Sequence, residues 1–330
     1  MRKGVRDVAR RVAHAAGVFG LARRFTRQHP RILVYHNIAP RGERGDVDVD
    51  ALRVQLEHIR RHYRPLPLSA LAAAIASPAA AAERSVAITF DDGHASFLRL
   101  ALPVFEKLGV PVTMFVVSDL LEPGSWLWTD KLQSIAGAMP TGSQWSNDRA
   151  RLRELTVLDP HERDRRLRTL ADTAGVDLPD IPPQRYQLLS WRELEQLAAN
   201  PLIEIGSHTR SHRLLAALDA EAAWNEIKGS KEQLEARLGI EVRSFAYPFG
   251  LEGDYLDGHV ALVRKAGYRC AVTCSSANEN PMTDPFMLPR VGVDGGDPTF
   301  FSKHVDGFEL LQQRFRRHFE MGQHRIEGRR

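Results

Sequence analysis

A parallel α/β fold is what this chain of 330 residues predicts, and three observations carry the prediction. Strand-like and helix-like patterns alternate along most of its length, the order expected when each parallel strand is returned by a crossover helix. Three apolar runs stop abruptly at paired acids, paired histidines or a proline-glycine break, and in a parallel sheet such carboxyl ends gather on one face. Hydrophobic residues at 43% and aromatics at 8% are ordinary for a globular chain, and the size suits one elaborated domain.

Residues 1–29 come first, with Arg2, Lys3, Arg6, Arg10, Arg11, Arg23, Arg24 and Arg27 interleaved with Val5, Val8, Val12, Ala15 or Ala16 and Phe19 at helical spacing. They predict a basic amphipathic helix, either lying on an anionic membrane surface or packed on the domain. As a signal peptide the segment is poor, because its apolar run over 12–21 is short and interrupted by His14 and Gly17. Nowhere is a stretch long enough to span a bilayer. Strands are expected at 31–36, 86–91, 111–117, 203–208, 243–248, 268–274 and 288–293, where β-branched and aromatic residues cluster. Helices are expected at 49–62, 69–76, 95–108, 190–199, 220–238 and 255–265. Ser190 with Glu193 has the form of a capping box, and Gly239 suits a helix stop. Between 119 and 189 the pattern loosens into Trp126, Trp128, charged residues and a proline-rich run, which reads as an insertion or long excursion. Its two tryptophans fit either a sugar-stacking wall or a core.

Chemistry concentrates where strands end. Val86 to Phe90 runs into Asp91, Asp92 and Gly93, so that two adjacent carboxylates can serve one point only if the backbone turns there, which glycine permits. Ile203 to Gly206 leads to His208 and His212, four positions apart; a helical turn would set both imidazoles on one face, able to share a metal with Asp92 as third ligand. The run Phe245-Ala246-Tyr247-Pro248-Phe249-Gly250 is broken by its proline and glycine.

Together the motifs Thr-Phe-Asp-Asp-Gly, Ser-His-Thr-x-x-His and Phe-x-Tyr-Pro-x-Gly resemble those of the polysaccharide deacetylase, or NodB-homology, family of carbohydrate esterases, over about Ile32 to Val293. The resemblance implies a distorted (β/α) barrel of the NodB-homology type as a catalytic domain of residues 30–296, to which the residue pattern adds the insertion or long excursion at 119–189 and helical extensions at 1–29 and 297–330. It implies a divalent metal on Asp92, His208 and His212, with Asp91 as catalytic base and the Phe249 N–H beside Pro248 and Tyr247 facing the substrate oxyanion. Zinc suits such ligands best, while Co2+, Ni2+ or Fe2+ can occupy them.

Two departures from the family pattern matter. Where the family carries an arginine two positions before the motif proline, this chain has Ala246; Arg290, after Met287-Leu288-Pro289, is the candidate replacement, and Arg243 the weaker one. The Leu-His pair that usually supplies a general acid near the carboxyl end is missing. Instead Tyr35-His36 resembles the amino-terminal element of the branch acting on bacterial exopolysaccharides, which assigns His36 as general acid.

Formal charge is +4, with excess cations at both ends; Arg314, Arg316, Arg317, Arg325, Arg329 and Arg330 form a basic tail without aromatic interleaving, which argues against nucleic acid as partner. Cys270 and Cys274 lack zinc-knuckle spacing and read as small buried residues. The expected partner is an N-acetylated glycan or lipid-linked sugar and the expected place the cytoplasm, with the inner face of the membrane an option through residues 1–29. An N-deacetylase is the first functional reading, and a metal-containing carbohydrate-binding protein with impaired turnover the alternative.

Overall fold

The computed structural model describes residues 2–43, 47–76, 83–138, 149–275, 282–293, 295 and 297–312. Seven parallel strands form a curled sheet: β1 (Arg31–Tyr35), β2 (Ser85–Phe90), β3 (Val112–Val116), β4 (Ile203–Ser207), β5 (Ser244–Ala246), β6 (Cys270–Val272) and β7 (Val291–Gly292). Their order is β7-β1-β2-β3-β4-β5-β6, with the short strand Arg64–Pro65 added beside β2. The two edges meet through one segment, since Leu288 bridges Val272 of β6 while Val291 pairs with Leu33 of β1. The result is the distorted (β/α) barrel that the sequence predicts.

Strand alternation sorts the core into two layers. Leu33, Tyr35, Val86, Ile88, Phe90, Val112, Met114 and Val116 pack outward with the surrounding helices, whereas Ile32, Ala87, Phe115, Ala246, Cys270, Val272 and Leu288 pack inward with Leu68, Leu71 and Ala72. A β-carbon on Gly206 would stand 2.4 Å from the Phe115 ring, so glycine is what lets that ring fill the barrel.

The early helices are α1 (Arg2–Ala15), α2 (Val18–Phe25), α3 (Val49–His62) and α4 (Leu68–Ala76), and Gly17 at φ 73° breaks the expected single amino-terminal helix in two. The helix expected at 95–108 is a wider π turn over Phe97–Ala101 followed by α5 (Leu102–Leu108). Pro103 has no N–H to return to the preceding turn, and the Leu102 N–H reaches back five residues to Phe97 O instead. The 119–189 excursion contains three helices that were not expected: α6 (Trp128–Ala138), α7 (Arg149–Val157) and α8 (Pro160–Ala174). Ile135, Leu155, Leu167, Leu170 and Ala171 give them a small core of their own around Trp128. Further on come α9 (Trp191–Ala198), α10 (Ala220–Leu238), α11 (Asp257–Lys265) and α12 (Pro298–Val305). Ser190 and Glu193 make the expected capping box, and Gly239 at φ 65° ends α10. The basic tail's arginines lie outside the described residues. No helix among the described residues is long and apolar enough to cross a membrane.

Candidate functional site

Barrel alternation aims the first acid. Ala87 faces inward, so Thr89 and Asp91 follow it into the barrel mouth, and Asp91 is 2% exposed. Asp92 at φ 72° and Gly93 at φ 76° then turn the chain, which lets the second carboxylate join the first. The excursion's returning segment pins this turn: Leu189 N–H donates to Gly93 O and Ala95 N–H to Gln187 O, both at 2.8 Å. His94, buried, pairs with Asp130 of α6 at 3.0 Å.

His208 and His212 do converge on Asp92, but no helical turn joins them. They belong to a loop in which Thr209 (φ 66°) and His212 (φ 55°) take the left-handed conformation, sparsely populated by side-chain-bearing residues and costing on the order of 1–3 kcal/mol each. Glu226 on α10 holds the loop by accepting the N–H groups of Arg210 and Ser211, each at 2.9 Å, and Thr209 Oγ1 accepts the His212 N–H at 3.0 Å. Nδ1 of His208 lies 2.8 Å from Ala246 O; if it carries the proton, Nε2 is left with its lone pair. The Nε2 atoms stand 3.6 Å (His208) and 3.5 Å (His212) from Asp92 Oδ1.

This trio fits a metal. One donor atom from each residue lies within 4.8 Å of the others, and the buried Asp92 Oδ1 has no hydrogen-bond partner among the described residues. An unpaired buried carboxylate oxygen is costly unless a cation completes it. Burial lowers the His212 pKa to about 4 against the pull of Asp92, which keeps the imidazole in its neutral, ligating form at neutral pH. Burial resists ionisation of Asp92, yet His212, His36 and His208 hold its carboxyl below the usual range.

Beside the trio stands a finished ion pair. Arg290, fully buried, binds Asp91 through Nη1–Oδ1 and Nη2–Oδ2, both 2.7 Å. Its remaining donors are also engaged: Nε to Thr273 O at 3.0 Å, Nη1 to Thr89 Oγ1 at 3.1 Å and Nη2 to Cys274 Sγ at 3.4 Å. Thr89 spends its own hydroxyl proton on Leu33 O at 2.8 Å and so turns a lone pair to the guanidinium. Burial works against Asp91 ionisation, and Arg290 outweighs it, holding the carboxyl well below the ordinary aspartate value. Arg243, by contrast, pairs at the surface with Glu241. Thr89, Cys274 and Glu226 escape a reading of the sequence; only the parity of Thr89 with Asp91 pointed to any of them.

The third motif meets the histidine loop through Phe249, with one correction to the expected roles. Tyr247 does not face a substrate: its side chain is fully buried, its hydroxyl donates to Phe286 O at 3.1 Å, and its ring stacks on Tyr255. The fully buried ring lies against Phe245 on the outer, helix-facing side of the sheet. Trp126 and Trp128 are only 8% and 7% exposed, so neither offers a face to a sugar. Trp128 lies between Phe249 and Arg163, because the excursion needs a core where it meets the barrel. Pro248 is buried and its carbonyl accepts the Gly250 N–H at 2.7 Å, leaving Phe249 at φ 61° between them. The Phe249 N–H makes no hydrogen bond among the described residues, and its ring meets that of His212 at 5.0 Å. A β-carbon on Gly250 would come within 2.8 Å of Cys274 N, which links this turn to the segment holding Arg290.

His36 follows the last residue of β1. Tyr35 pairs with Phe90, and Asp91 N–H donates to Tyr35 O at 2.9 Å, so the register sets His36 level with the two acids. It is exposed at the mouth and near enough to help lower both carboxyl pKa values. His259 and His304 are used elsewhere, in a helix cap and an ion pair with Glu309.

The curled parallel barrel thus carries a candidate Asp-His-His metal site beside a guanidinium-bound aspartate. A family model described as polysaccharide deacetylase matches residues 79–271, and the chain belongs to that family. Among solved structures it is similar to the deacetylase PplD of Streptococcus pyogenes in complex with acetate (18% identity, TM-score 0.55, 81% of this chain and 92% of that one). It is similar also to IcaB from Ammonifex degensii (18%, 0.52, 84% and 96%) and to a de-N-acetylase from Aggregatibacter actinomycetemcomitans (15%, 0.56, 84% and 99%). These likenesses concern the fold. No curated protein matches the chain.

Proposed function

We propose that this polysaccharide deacetylase family member removes N-acetyl groups from amino sugars of a glycan or a lipid-linked glycan precursor. The observation carrying the proposal is the adjacency of two unlike acids: Asp92 with an unpartnered oxygen facing two histidines, and Asp91 locked to Arg290. Asp92, His208 and His212 would hold a divalent ion, most simply zinc. When bound, such an ion supplies Lewis acidity and lowers the pKa of water from about 15.7 toward roughly 7.

The chain's own groups do the rest. Asp91 accepts the proton of the attacking water; Arg290 occupies one direction on each carboxylate oxygen and leaves another free. The Phe249 N–H donates to the oxyanion as the acetamide carbon becomes tetrahedral. His36 gives a proton to the departing sugar nitrogen, so that an amine and acetate result. Acetate is also what the Streptococcus pyogenes deacetylase is described as binding.

The test is acetate release from a panel of N-acetylated glycans and lipid-linked sugars, with and without chelator. Turnover that chelation stops and Asp91→Asn abolishes, with metal still bound in the variant, is expected. Activity indifferent to chelation overturns the metal assignment. A metal-loaded protein that binds glycan but releases no acetate from any substrate favours a binding role, the reading that Ala246 invites.

A further inference from the structure

Both amino-terminal helices dock on the domain yet keep apolar residues in water. Arg10, whose side chain is only 16% exposed, anchors α1 through Thr299 Oγ1 at 2.9 Å and lies over the Phe300 ring of the α12 segment. Val8 and Val12, one turn apart on the same helix, are 63% and 62% exposed. In α2, Phe19 and Ala22 are buried and Arg23 pairs with the buried Asp306, while Leu21 and Phe25, again one turn apart, stay 55% and 61% exposed. A helix packed on its own domain buries its apolar stripe. Here α1 is attached through Arg10 and α2 through Phe19, Ala22 and Arg23, and each still leaves an apolar pair in water, the kind of exposed apolar cluster that marks an interaction surface.

Charge selects the partner. Arg24 is exposed without an ion pair among the described residues, while Arg11 and Arg27, 69% and 49% exposed, each lean on one carboxylate at the surface, Asp297 at 2.9 Å and Glu83 at 3.6 Å. Residues 1–29 hold eight Lys and Arg against one Asp, in a chain of 45 against 41, so the remainder is net acidic. We propose that α1 and α2 form a docking surface for an anionic lipid bilayer, with Val8, Val12, Leu21 and Phe25 entering the headgroup boundary and Arg11, Arg24 and Arg27 meeting lipid phosphates. The proposal goes beyond the reaction and stands without it.

Flotation of the full-length protein with phosphatidylcholine vesicles, with and without phosphatidylglycerol, tests it. Strong partition onto the anionic vesicles, weakened by salt, is expected. The exposed-residue variants Val8→Ser/Val12→Ser and Leu21→Ser/Phe25→Ser should each lower that partition about tenfold while melting like the parent. Arg24→Glu should lower it roughly fivefold or more. Equal partition onto neutral and anionic vesicles, or variants that bind like the parent, would overturn the proposal. So would parent protein that ignores vesicles but self-associates through Leu21 and Phe25, since that outcome gives the face to a second copy. Acetate release from a soluble N-acetylated oligosaccharide should not differ among these variants, which separates this failure from a failure of the deacetylase reading.

Discussion

Asp91 and Asp92 are neighbours in sequence and share a pocket, yet the structure treats them oppositely. Asp91 has both oxygens taken by a guanidinium that itself has no donor left over. Asp92 has a buried oxygen with nothing donating to it among the described residues, and two imidazole nitrogens stand about it. One acid is paired within the chain, while the other keeps an oxygen open toward two imidazoles, as the proposed metal site requires. The difference divides labour: a carboxylate fixed by its partner can hold its orientation while a proton comes and goes, and a carboxylate without one can bind.

Breaking the open half should have the largest effect. Asp92→Asn removes the anionic ligand, and metal affinity measured by calorimetric titration should fall by more than the roughly 10–100-fold typical of losing a supporting partner; unchanged affinity would mean the cation sits elsewhere. On the closed half, Arg290→Met leaves Asp91 buried and uncompensated, which should cost about 3–5 kcal/mol in denaturant unfolding. Adding Asp91→Asn should restore much of that stability without restoring turnover. Thr89→Val is a finer probe: losing one hydrogen bond to a charged group should cost about 1.5–3 kcal/mol. If Thr89 aims the pair, kcat falls while KM holds. Acid sharpens the contrast last. Because the folded-state Asp91 pKa lies below its unfolded value, near 3.9, the pair's contribution is fully present above that value and is lost as pH falls toward the folded one. Arg290→Met should therefore flatten the acid limb of a stability-against-pH curve below about pH 4.

Much of this site was legible because its chemistry sits in contiguous strand ends, where β-branched runs give way to Asp91-Asp92-Gly93 or to His208 and His212. Arg290 was legible for a related reason, as a cation after an apolar run that could answer the missing arginine at Ala246. What stayed hidden depends on rare backbone or distant contacts. Spacing suggested a helical turn for the histidines, whereas left-handed Thr209 and His212 bring them together, and propensity gives no hint of such a conformation in a β-branched residue. Glu226 reaches the loop from a helix well along the chain, with no local mark. The helix α8 was missed because charged residues dominate it, though Asp159 before Pro160 and Gly175 at its end, the cap and stop it actually uses, were available signs. Aromatic residues such as Tyr247 and Trp128 look alike in sequence whether they face a sugar or a core.

Closure of the barrel through the segment 288–292 has a consequence for synthesis. Arg290 leaves the ribosome 199 residues after Asp91, so for most of translation the acid lacks its guanidinium partner. Burying it early would be unfavourable. Sealing the seam and neutralising Asp91 are therefore one event, and a nascent chain stopped short of that strand carries the deacetylase motifs without a finished pocket.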